Sequence, residues 1–179
     1  MTWFRRSIRP HQDGTTFEEV VLPHLDSAHN VARWLVRDAS LAEDVLQDAM
    51  VRALSYYAGF RGDDARAWLL QIVRNVAYTT LAGRKKRAEE ALDEKESLEL
   101  PDLADNPEAA LTKIQSLKLL EEKLAALPLE LRECLVLREL EGCSYKEIAR
   151  VTETPIGTVM SRLWRARQSL MGLSKGNEP

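Results

Sequence analysis

Four residues near the C-terminal end could hydrogen-bond to nucleic acid together: Thr158, Ser161, Arg162 and Arg165. Hydroxyls of Thr and Ser suit phosphate oxygens and base edges, and a guanidinium reads guanine through a two-pronged hydrogen bond. Such groups read a groove only when one rigid element presents them together. The sequence around them supplies it. Ile156, Val159, Leu163, Ala166 and Leu170 recur at spacings of 3, 4, 3 and 4, which predicts a helix from about Ile156 to Leu170 with this stripe inward and the polar residues on another face. At ~1.5 Å per residue that helix is roughly 22 Å long, enough to cross a major groove.

The residues before it predict how the helix is held. Ser144 and Glu147 form an S-x-x-E capping box that starts a shorter helix, Tyr145 to about Val151, with Ile148 and Ala149 inward. Thr152-Glu153-Thr154 suits a tight turn. Thr154 can cap the second helix, and Pro155 fits its first position because a missing N–H costs nothing there. Scaffold helix, turn and polar second helix make a helix-turn-helix. The competing account is an ordinary amphipathic pair with a solvated basic face.

The net charge of −3 on 179 residues argues against a nucleic-acid binder only until it is divided. Residues 1–88 carry 13 Lys/Arg against 10 Asp/Glu, residues 89–113 carry 2 against 9, and residues 114–179 carry 10 against 9. The acidity sits in one segment between two neutral-to-basic parts. No apolar run of about 18 residues is present, and MTWFRRSIRPHQDG lacks the apolar core of a signal peptide, so a cytoplasmic protein without membrane insertion is expected. Cys134 and Cys143 are not at C-x-x-C spacing and read as buried thiols. His11, His24 and His29 make no metal or catalytic set, and no phosphate-binding or nucleophile motif occurs. No enzyme activity, metal or cofactor is expected.

Helical periodicity runs through the rest, with no strand signal. A helix starts near Thr15, and Pro23 kinks or restarts it. A second piece places Ala28, Val31, Ala32 and Leu35 on one face, and Asp38-Ala39 breaks it. Ser40 and Glu43 offer another capping box, and the helix after it buries Val45, Ala49 and Ala53 while showing Asp44, Gln47, Asp48, Val51 and Arg52 on the opposite face. A loop with Tyr56, Tyr57, Gly59, Phe60, Arg61 and Gly62 follows. Its aromatic rings suit stacking on unpaired bases, or else plug the edge of a core. The next helix, about Ala65 to Gly83, carries Trp68, Leu69, Ile72 and Val76 inward, offers Arg66, Arg74 and Asn75, and ends in Arg84-Lys85-Lys86-Arg87, either a phosphate patch or a favourable helix C-terminus. Residues from 88 to about 112 are acidic, hold Pro101 and Pro107 and lack aromatics, so they read as a linker. Helices over 113–127 and from Leu127-Pro128 to about Leu140 precede Gly142, a plausible C-terminal cap. The expected architecture is all-α: two small helical domains, 15–88 and 113–173, joined by an acidic linker over 89–112.

These residues resemble a known family, the bacterial sigma factors of extracytoplasmic-function type. Ala42 to Asp48 followed by Arg52-Ala53 is similar to that family's polymerase-binding helix. Phe60-Arg61-Gly62-Asp63, Ala67-Trp68-Leu69 and Ile72-Val73-Arg74-Asn75 are similar to its promoter-melting and −10 segment. Leu127-Pro128 through Arg132-Glu133, Ser144 to Ala149 and Gly157 to Arg167 are similar to its −35-binding helix-turn-helix. The chain departs from the pattern at Leu54, where the family often has an aromatic, and at Thr79, where an acidic residue is common.

The resemblance implies a region 2 bundle and a region 4 helix-turn-helix. It implies that Asp44, Gln47, Asp48 and Arg52 bind polymerase core, on the clamp helices of its largest subunit, with the flap of the second largest as a further contact. It implies that Thr158, Ser161, Arg162 and Arg165 read the −35 element. For the −10 element it implies Tyr57, Phe60, Arg61, Arg74, Asn75, Arg84, Lys85, Lys86 and Arg87. Promoter DNA and an anti-sigma factor are the remaining partners. Two alternatives stay open: a sigma mimic that only sequesters an anti-sigma factor, and a LuxR-type regulator, whose receiver domain would need strands that are not there.

Overall fold

The computed structural model describes residues 15–61, 64–91 and 122–175. Every regular element among them is helical: α1 (Phe17–Val21), a 3₁₀ turn (Leu22–His24), α2 (Leu25–Val36), α3 (Ala39–Tyr56), a 3₁₀ turn (Tyr57–Gly59), α4 (Ala65–Ala91), α5 over 122–126, α6 (Leu129–Leu135) running into a π-helical turn (Val136–Leu140), α7 (Tyr145–Thr152) and α8 (Ile156–Lys175). The linker expected over 89–112 and the helix start expected at 113 fall largely outside the described residues.

Local chemistry sets most of the boundaries. Thr16 and Glu19 close a reciprocal capping box on α1. Pro23 sits in the 3₁₀ turn that restarts the chain as α2. Arg37, in the left-handed region at φ 60°, ends α2. The capping box expected from Ser40 and Glu43 is not what starts α3. Asp38 Oδ1 accepts from the Leu41 N–H at 3.0 Å instead, two residues earlier. Asp and Ser are equivalent caps on sequence alone, and the one that follows the left-handed Arg37 is extended and so placed to cap. Helix α4 continues to Ala91 rather than ending near Gly83, because Lys85–Glu89 and Lys86–Glu90 pairs at i,i+4 support another two turns.

The first half of the core joins α1 to α4. Val21, Ala28, Val31, Ala32, Leu35, Val45, Ala49, Ala53, Leu69, Leu70, Val73 and Val76 are all closed to solvent. Small alanines on the faces of α2 and α3 let these helices approach α4 closely. The second half packs α6, α7 and α8 around Cys134, Leu137, Ile148, Val151, Val159, Leu163 and Ala166. Ile156, expected inward, is 46% exposed, so the buried stripe of α8 begins at Val159. Both thiols are buried and burial pushes each up to about 11, so neither is a ready nucleophile at neutral pH.

The two halves also touch. Helix α4 packs on α7, and α2 packs on α6. Arg132, itself buried, donates through Nη2 to the Leu35 carbonyl at 3.1 Å, capping the C-terminal end of α2 from the other half of the chain.

Candidate polymerase and promoter interface

The helix-turn-helix is built as its local sequence dictates. Ser144 Oγ accepts from the Glu147 N–H at 3.2 Å while Glu147 Oε2 accepts from the Ser144 N–H at 2.6 Å. Glu153 adopts φ 53°, and the Thr154 N–H then reaches back to the Ala149 carbonyl at 3.0 Å, a Schellman-type end that turns the chain. Thr152 is buried and its hydroxyl lies 2.8 Å from that of Thr154, which holds the turn from inside. The Pro155 carbonyl accepts from the Thr158 and Val159 N–H groups, so Pro155 precedes the first turn of α8. Upstream, Gly142 at φ 67° lets the Cys143 N–H return to the Leu137 carbonyl.

Helix α8 shows three faces. Val159, Leu163 and Ala166 are buried. Ser161 and Arg165 lie exposed on the opposite side with Thr158 half-buried beside them; Arg165 Nε donates to the Ser161 carbonyl at 3.4 Å. Arg162 differs from its neighbours. It is half-buried, its Nη1 is shut off from solvent without a hydrogen-bond partner, and it lies against the Cys134 thiol. The third face is apolar: Ile156, Met160, Trp164 and Met171 are 46–63% exposed. The sequence reading missed this stripe, whose signal is apolar residues at 156, 160 and 164 that cannot share a side with 159, 163 and 166.

On α3 the structure leaves Asp44, Gln47, Asp48 and Arg52 exposed on one side, with Val51 among them at 66% exposure. The loop after α3 divides its aromatics. Tyr57 is 2% exposed; its ring meets Phe17 edge-on at 5.5 Å and its hydroxyl donates to the Thr15 carbonyl at 2.9 Å. It supports the loop from the core, where the sequence had offered it as a base contact. Phe60 lies against Trp68 with centroids 4.6 Å apart, and together with Tyr56, Gly59, Arg61, Asp64 and Gln71 they line an open pocket of about 950 Å³.

Arg74 and Asn75 sit on α4 and are joined, Arg74 Nη1 donating to Asn75 Oδ1 at 3.1 Å. Arg74 is also committed elsewhere: its Nε donates to Glu133 Oε1 of α6 at 2.7 Å, and its guanidinium stands 4.3 Å over the Tyr78 ring. Tyr78 donates its hydroxyl to the other Glu133 oxygen. Burial lowers the Arg74 pKa, but the bond to Glu133 and its charge outweigh that and hold the guanidinium protonated. The four basic residues Arg84 to Arg87 are exposed but do not form one patch. Consecutive helical positions point about 100° apart. Arg84 turns to Asp38 at 3.2 Å, while Lys85 and Lys86 face Glu89 and Glu90.

Two family models match the chain: sigma-70 region 2 over residues 20–87, and sigma-70 region 4 over residues 117–170. The RNA polymerase sigma-H factor of Pseudomonas aeruginosa is 34% identical over 166 residues, 88% of this chain and 86% of that one. The chain belongs to the sigma-70 family. Within it, the ECF RNA polymerase sigma-E factor of Escherichia coli (strain K12) is 35% identical over 135 residues, 71% of this chain and 70% of that protein. Among solved structures, the sigma factor RpoE in complex with the anti-sigma factor NepR from Bartonella quintana superposes at a TM-score of 0.70 with 26% identity, covering 90% of this chain and 98% of that one. The all-helical fold and the helix-turn-helix of region 4 are therefore those of a sigma factor, of the extracytoplasmic-function type named among its relatives.

Proposed function

We propose that this chain is an alternative sigma factor whose first half, residues 15–88, binds polymerase core and the −10 element, and whose second half, residues 113–173, binds the −35 element, with residues 89–112 as the tether. One observation carries the reading: α3 offers an exposed, mostly charged face with Val51 at its centre, and α8 offers a separate polar face, in one chain of the sigma-70 family. The protein performs no chemistry itself and needs no cofactor or metal. It lends core enzyme a promoter preference and is cytoplasmic.

Each surface has a physical task. Asp44, Gln47, Asp48 and Arg52 make the polar contact to the clamp helices of the largest subunit, with Val51 as an apolar anchor among them. Ile156, Met160, Trp164 and Met171 suit the flap of the second largest subunit, since an exposed apolar stripe on a monomer marks a docking face. Thr158, Ser161 and Arg165 enter the major groove, with Arg162 at their inner edge. Phe60, Tyr56 and Trp68 stack on a base taken from the duplex and Asn75 hydrogen-bonds to it, while Arg61 and those of the cations Arg84 to Arg87 that turn towards the strand neutralise its phosphates. Unstacking a base costs a few kcal/mol, which stacking at ~1–3 kcal/mol and charge contacts offset. The complex of the similar RpoE with NepR supports an anti-sigma factor as a further partner.

The test is transcription by purified core polymerase with and without this chain on genomic DNA, followed by mapping of transcript starts. New starts that share two spaced sequence elements are expected. Asp48→Arg should abolish core binding in a pull-down. A wild-type chain that binds no core and starts no transcript would leave the sigma-mimic reading in its place.

A further inference from the structure

The sulfur atoms of this chain are divided by burial. Cys134 and Cys143 are buried, and burial keeps both thiols protonated at neutral pH, so neither supplies the thiolate that an oxidant attacks. Met50 of α3 is partly buried and packs against the core. Met160 and Met171 differ, at 53% and 56% exposed on a single helix. A thioether needs no deprotonation before it is oxidised, so access alone decides which methionine reacts.

Spacing supplies the second observation. Met160 lies four residues before Trp164 and Met171 seven after it, so the three share the face of α8 that Ile156 begins. The two sulfurs bracket the exposed Trp164 ring over about three turns of helix. A partner that covers Trp164 therefore buries both thioethers. Methionine suits such a face, because its flexible, polarisable side chain fits an uneven partner surface. One added oxygen reverses that fit. A sulfoxide is polar, and burying it against an apolar partner without a hydrogen-bond donor is costly.

We propose that Met160 and Met171 are paired oxidation sites through which a peroxide switches off the docking face of α8. The sulfur lone pair attacks one peroxide oxygen and forms the S–O bond. The O–O bond breaks, and the other oxygen leaves as water once it has taken the proton. The thioether is oxidised and the peroxide reduced. A dithiol reverses the step through a methionine sulfoxide reductase: the S–O bond breaks, its oxygen leaves as water, and the dithiol becomes a disulfide. The core face of α8, Val159, Leu163 and Ala166, stays buried throughout, so the switch acts on docking and leaves the fold in place. The proposal rests on the flap reading for what is switched off, though not for which residues are oxidised.

The test treats the full-length chain with hydrogen peroxide and removes the peroxide with catalase before any polymerase is added. Peptide mapping by mass spectrometry should show one oxygen gained at Met160 and at Met171 well before Met50, with both thiols still reduced. Met50 oxidised as fast as the other two would overturn the site assignment. The thermal melt of the treated chain should match that of the parent; a collapsed melt would replace the switch with simple damage. Capture by polymerase core should fall about tenfold on treatment and return after incubation with the two epimer-specific sulfoxide reductases and dithiothreitol. A chain carrying Met160→Leu and Met171→Leu is compared only with itself: whatever its starting capture, peroxide should not change it. Capture of the parent unaffected by full oxidation at both positions, or lost equally in the leucine chain, would overturn the switch and leave the sigma reading standing. An untreated parent that captures no core refutes the sigma reading instead, and takes the purpose of the switch with it.

Discussion

Arg150 Nη1 of α7 stands 2.8 Å from Asp64 Oδ2 at the start of α4, and the pair joins the scaffold helix of the helix-turn-helix to the rim of the aromatic pocket. The two residues are 86 apart in sequence, so the contact follows from how the halves pack and not from any local pattern. Asp64 is anchored as well, its Oδ1 accepting from the Ala67 N–H at 2.9 Å, which fixes the aspartate where Arg150 meets it.

The pair is half open to water, with 51% and 28% of the two side chains exposed. Exposed pairs of this kind contribute ~0–1 kcal/mol. Arg150→Ala is therefore expected to change unfolding free energy in urea by less than about 1 kcal/mol. Asp64→Ala should cost more, because it also removes the bond to the first turn of α4; ~1 kcal/mol is the usual cost of losing a cap. Equal losses in the two variants would mean that the ion pair, and not the cap, carries the contribution of Asp64.

Asp38 gives a prediction in pH. Its carboxylate caps α3 through the Leu41 N–H and pairs with Arg84 at 3.2 Å, and these contacts, led by the backbone bond, hold its pKa below the usual 3.8. A carboxylate lowered in the folded state contributes stability above its unfolded value, and that contribution is lost as pH falls through the folded value. Thermal melts below about pH 4 should thus lose stability in the parent. Asp38→Asn should flatten that slope while keeping most of the cap, and Asp38→Ala should cost ~1 kcal/mol at neutral pH. A parent and Asp38→Asn with identical acid slopes would remove Asp38 from the account.

What the sequence made legible was local. The buried faces of α2, α3, α4 and α8 follow from spacing, and Ser144 with Glu147 announces α7 because both partners of the box lie three residues apart. What it hid was non-local or degenerate. Asp38 and Ser40 are equivalent caps until the backbone at Arg37 is known. Tyr57 and Phe60 are both aromatic and three apart, yet the ring of one faces Phe17 and that of the other Trp68. Glu133 falls on a helix with the spacing of its neighbours, and only the packing of α6 on the first half turns it to Arg74, 59 residues away.

Arg162 and Arg165 looked interchangeable in sequence, and the structure separates them. Arg165 is exposed and braced only by the Ser161 carbonyl, so Arg165→Ala should leave the fold intact and weaken −35 binding by ~1–3 kcal/mol if it reads a base. Arg162 has a guanidinium nitrogen closed to solvent and lies against the Cys134 thiol, so Arg162→Ala should lower the melting temperature as well as binding. Melts and run-off transcription on the two variants check this. A destabilised Arg165→Ala chain, or an unchanged melt for Arg162→Ala, would reverse the roles.

The apolar stripe of α8 makes the last prediction, and it turns on cost. Trp164 is 63% exposed on a helix whose core face is already filled by Val159, Leu163 and Ala166, so it contributes little to folding. Leaving so large a ring in water is unfavourable for solubility, and a partner that covers it, as proposed above, would account for its presence beside Ile156, Met160 and Met171. Trp164→Glu should shift unfolding free energy by no more than about 0.5 kcal/mol, as surface substitutions do. In a pull-down with polymerase core it should nevertheless reduce capture at least about tenfold, because a central aromatic in a docking face commonly contributes ~2 kcal/mol or more. Asp48→Arg disrupts a different surface, so the two substitutions should add in free energy rather than mask one another. If Trp164→Glu binds core as the parent does, the stripe serves some other partner, and the anti-sigma factor is the next to assay against the same variant.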